Sequence, residues 1–299
     1  MKDNKKIDAF SPQWIDLVKR LTIKAMFSDV ALMERLVLKG GNAVDLIHGA
    51  ASRASMDLDF SMADDFADDE KSGLAKKIER ELQATFAEEG LTVFDVEFAE
   101  KPEHVSEELK AFWGGYGLAF KIISASRYLE LTGDTAQMRR EALMVGGRGK
   151  VEVDFSKYEY CEGKEARDLE GYRIYVYTPE MVVAEKLRAL CQQMEEYGPV
   201  VKRTRRGAAR ARDFVDIHGL VTKFAIEPEA IVELVGKVFA AKRVPLELLK
   251  KLPAYRTVHA ADFRQVEETR KEGVQLESFD FYFDFVMAFS MGLESARDV

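Results

Sequence analysis

LKGGNAVDLIHGAASRASMDLDF, residues 38–60, is the stretch on which the reading of this chain turns. Leu36-Val37-Leu38 reads as a short buried strand that stops at Gly40-Gly41. A short helix is predicted from Asn42 to His48, and alternation from Met56 to Ser61 predicts a second strand. On that strand Asp57 and Asp59 are two residues apart, so their carboxylates project to the same side. Two neighbouring anions repel, and each loses hydration when buried. An ordinary core strand has no use for such a pair.

A divalent cation removes the penalty. Magnesium, with manganese as its substitute, takes hard carboxylate oxygens together with the phosphates of a substrate. A third carboxylate comes from VEVDF, an alternating strand after the turn residues GGRGK. Val151, Val153 and Phe155 share one face, and Glu152 and Asp154 share the other. Asp154 is the expected third ligand, with Glu152 as the alternative. Gly40 and Gly41 let backbone N–H groups approach a phosphate at a helix N-terminus. GGRGK lacks the spacing of a phosphate-binding loop and precedes a strand, so it reads as a hairpin turn.

With 299 residues, 47% apolar and 32% charged, the chain is a folded protein large enough for two packed lobes. Cys161 and Cys191 have no metal-ligand spacing and read as packing residues of a reduced, cytoplasmic protein. No apolar run reaches the roughly 18 residues of a membrane helix, and MKDNKKIDAF has no export signal core. The net charge of -8 excludes a protein that coats nucleic acid non-specifically. KRTRRGAARAR, residues 202–212, nevertheless has six basic residues and no acidic one, a local surface for phosphates. His48, His104, His218 and His259 show no zinc spacing, and FDFYFDF, residues 279–285, reads as helical core.

Along the chain, Ser11-Pro12 opens a helix, and 29–34 and 70–88 are predicted helical. LTVFDVEFAE and YGLAFKIISASRYLE read as strands, and YRIYVY is the last clear one. Thr178-Pro179-Glu180 opens a helix, and nearly everything after it reads helical. The expectation is an α+β fold: an α/β lobe with a mixed sheet over 1–177 and a helical lobe over 178–299.

Lys39-Gly40-Gly41 followed by Arg53-Ala54-Ser55-Met56-Asp57-Leu58-Asp59-Phe60 resembles the first motif of the AbiEii/AbiGii nucleotidyltransferase toxins, members of the DNA polymerase β-like superfamily. YTPEMVVAEKLRAL is similar to a second signature that carries a lysine, here Lys186. ARDFVDIHGL is similar to a later one with a basic-acidic pair, here Arg212-Asp213. The resemblance covers roughly residues 36–220. It implies a toxin that moves a nucleotide from an NTP to an acceptor such as the tRNA 3′ end, blocking translation, with a cognate antitoxin as partner. It implies catalytic roles for Asp57, Asp59, Lys186 and Asp213, metal binding by Asp57, Asp59 and Asp154, and nucleotide contacts from Gly40, Gly41, Ser55, Lys186 and Arg212. Many relatives have Gly-Ser where this chain has Gly40-Gly41, which removes a hydroxyl contact. Transfer to a protein or small-molecule hydroxyl, or a non-catalytic module of the same fold, are the competing readings.

Overall fold

The computed structural model describes residues 8–51 and 57–297. Arg53, Ser55 and Met56 of the first motif lie outside the described residues. Ser11 caps helix α1 (Pro12–Ser28), its hydroxyl accepting from the Trp14 N–H at 3.4 Å. Helix α2 (Val30–Arg35) leads into strand β1 (Val37–Lys39). The predicted helix from Asn42 is instead a single turn, α3 (Gly40–Asn42), continued by a π-helical turn over Ala43–Ile47. Strand β2 (Leu58–Ser61) begins one residue after Asp57, so Asp57 precedes the strand that sequence alternation assigned to it.

Helix α4 (Asp68–Ala87) and strands β3 (Leu91–Lys101) and β4 (Gly115–Ser124) follow. The segment after Ser124, read as strand, is helical: Ser124 caps α5 (Ala125–Glu130) by accepting from the Arg127 N–H. After α6 (Thr135–Arg140), Gly146 and Gly147 both take positive φ, 55° and 78°, in a tight turn closed by paired Val145 and Arg148. Strands β5 (Val151–Ser156), β6 (Glu165–Leu169) and β7 (Tyr172–Val176) complete a mixed sheet in the order β3-β4-β5-β2-β1-β7-β6. β6 carries Glu165, Arg167 and Asp168 and is largely exposed, so no apolar alternation marks it.

In the sheet β2 lies between β1, to which it is antiparallel, and β5, to which it is parallel. Its apolar face, Leu58 and Phe60, packs with Leu38, Val153 and Phe155 beneath α1 and α4. This core draws no buried residue from beyond Val176. The helices α7 (Pro179–Gln192), α8 (Ala211–Phe224), α9 (Pro228–Ala241), α10 (Arg256–Ala260), α11 (Phe263–Glu268) and α12 (Phe279–Arg297) form a second core, which takes in Val37, Val44, Cys161 and Tyr177. Phe279, Tyr282 and Phe283 are buried in it, and Phe283 stacks on Phe214 with centroids 5.2 Å apart. No described helix is long and apolar enough to cross a membrane.

The basic segment is pressed against the end of α7. Arg203 donates to the carbonyls of Gln192 at 2.6 Å, Gln193 at 3.1 Å and Met194 at 2.8 Å, which satisfies acceptors that the helix terminus leaves open. A Cβ on Gly207 would fall 2.0 Å from the Gln193 carbonyl oxygen, so the loop passes there only as glycine. Arg203 therefore serves the fold, where its position in the sequence had marked it for phosphate. Arg203→Ala is expected to lower stability by about 2 kcal/mol, since three carbonyls lose a charged donor. Denaturant unfolding checks this as a lower midpoint at unchanged slope.

Candidate active site

Strand register assembles the site. Lys39 on β1 is the partner of Asp59 on β2, and Asp59 is the partner of Asp154 on β5, with Gly117 of β4 next in the row. Lys39, Asp59 and Asp154 thus stand side by side on the face opposite the apolar core. Glu152 is two residues along, ion-paired with Lys150 at 2.8 Å, and lines a different, smaller hollow. Asp57 reaches the same region from the segment before β2. Its backbone oxygen accepts from the Asn42 side chain at 2.6 Å.

These residues open into a cleft of about 370 Å³, walled on one side by the sheet and on the other by α7 and the start of α8. Gly40 and Gly41 lie at its floor. Gly40 has φ +69°, and a Cβ there would sit 2.7 Å from Asp59 Oδ2. The glycine the sequence assigned to a phosphate makes room for a carboxylate. Burial pushes the Asp59 carboxyl above its ordinary pKa; Lys39 opposes the rise, and Glu185, Asp154 and Asp57 add to it. Asp57 and Asp154 are half exposed and carry basic partners: Arg148 at 3.0 Å on Asp57, and Lys101 at 2.6 Å on Asp154.

Across the cleft, Thr178 caps α7 by accepting from the Met181 N–H at 3.2 Å. With α8 and α9 packed against it, α7 is buried on nearly every face, Lys186 included. Lys186 donates to Asp213 at 2.9 Å and to Asp216 at 2.8 Å. It is not a lysine reaching out to solvent from an apolar helix. Asp213 stands in the first turn of α8 and is fully buried; burial alone would raise its pKa, but Arg210 and Lys186 hold it well below the ordinary carboxylate range. Arg210 is ion-paired with Asp213. Arg212, half exposed, approaches Asp57 at 3.9 Å.

Sequence reasoning missed the charge cluster beneath the cleft. Glu159, in the segment after β5, is buried among Arg188 at 3.2 Å, Lys39 at 3.5 Å and Lys242 at 3.6 Å. Arg188 also pairs with Glu185 at 3.0 Å, the arginine side chain fully buried. Lys242 donates to the carbonyls of Phe112, at 3.2 Å, and Lys157. Burial pushes its pKa down to about 8. A lysine just before Gly40-Gly41 and an arginine two residues after Lys186 were the signals on offer, but nothing in KYEYCEG singles out Glu159.

Among the described residues, no three His, Cys, Asp or Glu side chains are arranged to hold a metal ion. The donor chemistry does fit a hard divalent cation: carboxylate oxygens in adjacent register, one of them half-buried and set among like charges. Two of these acids carry basic partners, Lys101 on Asp154 and Arg148 on Asp57.

A mixed sheet with paired acids facing a buried lysine across a cleft is an arrangement suited to phosphoryl transfer. Residues 22–285 match the family model described as nucleotidyl transferase AbiEii toxin, type IV TA system, and the chain belongs to that family. No curated protein matches it. Among solved structures it is similar to an H. pylori protein provisionally described as a nucleotidyltransferase, at 14% identity over 95% of this chain and 96% of that one. The TM-score is 0.47, and at that level the likeness adds nothing to the family match.

Glu159 also sets an acid limit on the fold. Burial pushes its pKa up, yet Arg188, Lys39 and Lys242 together pull it down from 4.5 to about 2. The folded value is depressed, so the stabilisation is complete above pH 4.5 and is lost as pH falls toward about 2. It is on the order of 3 kcal/mol. The stability advantage of the native chain over Glu159→Gln is expected to shrink across that window, which denaturant midpoints measured at several pH values check.

Proposed function

We propose that this chain is a nucleotidyltransferase toxin that moves NMP from an NTP to the 3′ end of a tRNA, blocking translation. The observation that carries this is the alignment of Asp59 with Asp154 on adjacent parallel strands, facing Lys186 and Arg212 across one cleft. In this reading residues 1–177 form the nucleotidyltransferase lobe, and 178–299 form the helical lobe that contributes Lys186 and Asp213. Asp57, Asp59 and Asp154 are the residues that would hold a divalent cation, magnesium or manganese. Such an ion, when bound, lowers the pKa of the acceptor hydroxyl and neutralises charge on the phosphates.

The chain's own groups do the rest. The Gly40-Gly41 turn sets backbone N–H groups against the triphosphate. Asp213 and Asp216 fix the Lys186 ammonium at the cleft wall, so its charge is in place before substrate arrives. Arg212 meets a phosphate from the rim. Arg203 and Arg210 are committed to α7 and Asp213, which leaves Arg205 and Arg206, both exposed, to meet RNA. The toxin acts in the cytoplasm, where tRNA and NTPs meet, and an antitoxin restrains it.

The test is incubation with total tRNA, magnesium and each α-labelled NTP in turn. One NTP is expected to label tRNA, and Asp59→Asn is expected to reduce labelling at least about a thousandfold at unchanged melting temperature. Arg205→Glu combined with Arg206→Glu should weaken tRNA labelling about tenfold. Label on protein or on a small molecule would move the acceptor. Absence of label anywhere would leave a non-catalytic module.

A further inference from the structure

The basic side chains in and beside the cleft fall into two groups; Arg148 lines the smaller hollow next to it and reaches in to Asp57, which Arg212, half exposed, also approaches at 3.9 Å. Lys39, Lys186, Arg188, Arg210 and Lys242 are each paired with a carboxylate that is itself largely buried. Moving any of them onto a substrate would strand a buried anion. Lys101 and Arg148 are different. Lys101 Nζ lies 2.6 Å from Asp154 Oδ1, with the two side chains 64% and 50% exposed. Arg148 Nη1 lies 3.0 Å from Asp57 Oδ1, with 49% and 50% exposed. Exposed pairs of this kind are weak and exchange readily.

Neither basic residue belongs to the segment that carries its acid. Lys101 ends β3 and reaches Asp154 across Gly117, where a Cβ would touch the lysine stem at 3.4 Å. Arg148 extends from the turn closed on Val145. Their partners are two of the three carboxylates assigned above to the divalent cation. An ammonium or guanidinium and a metal ion compete for the same oxygen. An NTP also brings more negative charge than one divalent ion cancels, so positive charge released at the rim has a use there.

We infer that Lys101 and Arg148 are exchangeable counter-ions: each yields its carboxylate to the divalent cation and then binds a phosphate of the NTP. This rests on the reading of the cleft as an NTP site. It divides the positive charge of the site into a fixed part that shapes it and a transferable part that follows the substrate.

The experiment titrates Mn2+ alone into the wild-type chain, Lys101→Met, Arg148→Met and the double variant, read by electron paramagnetic resonance. Calorimetry then follows α,β-methylene analogues of the four NTPs, one at a time, binding to the Mn2+-loaded proteins. Each single variant is expected to bind Mn2+ about two- to fivefold more tightly, because a competitor is gone. Each is expected to bind the preferred analogue about fivefold more weakly, with Lys101→Arg close to wild type. Opposite signs for metal and nucleotide are the signature of exchange. Unchanged affinity for both would overturn the inference and leave two surface ion pairs. Weaker binding of both would overturn it too, marking the residues as supports for the carboxylates. Wild-type protein that binds Mn2+ but no analogue would overturn the NTP reading itself.

Discussion

One buried carboxylate organises this molecule. Glu159 has Lys39 from β1, Arg188 from α7 and Lys242 from the end of α9 gathered around it, so one anion ties the sheet to the helical core beside the apolar contacts of Val37 and Tyr177. None of these charges is tolerable alone in an interior, and together they satisfy one another. Through Glu159 the hub links β1, which pairs with the strand of Asp59, to α7, which carries Lys186. A hydrophobic interface would hold the two cores together with less directional demand; the ionic one admits few arrangements of these four groups.

Above the hub the site is built in two tiers. Lys186, Asp213 and Asp216 are buried and mutually constrained, Asp59 is half-buried opposite them, and their geometry is set by the fold. Asp57, Asp154, Lys101, Arg148 and Arg212 line the rim with about half of each side chain, or more, in solvent. A buried tier supplies preorganisation, while a solvated tier tolerates the arrival and departure of charged ligands.

Much of the fold was legible in the sequence because local chemistry marks it. Ser11-Pro12 and Thr178-Pro179 announce α1 and α7 through caps that the structure contains. Alternation marks β5, and the two glycines mark its preceding turn. What escaped was decided by partners distant in sequence. The β6 strand is polar and exposed, and only its pairing with β7 makes it a strand. The ASRYLE segment turns helical because Ser124 caps it, against a pattern that continues the strand. For the site, sequence indicated which acids to examine, but the commitment of Arg203 and Arg210 to the fold depends on a loop folded back on α7. The burial of Lys186 is likewise a property of its neighbours, α8 and α9, and no feature of its own helix shows it. The family match over 22–285 gives the class of chemistry, and the roles of individual side chains come from their surroundings.

The central strand pairing has a consequence during synthesis. β2 closes against β5, and the hub is complete only with Lys242, which the ribosome adds roughly 180 residues after Asp59. At about 5–20 residues per second the nascent chain carries Asp59 for about 10 to 40 s before the cleft has both walls. Lys186 itself follows Asp59 by 127 residues, so for the first part of that interval the acid of β2 exists without the lysine that faces it, and the two-walled cleft forms only late in synthesis.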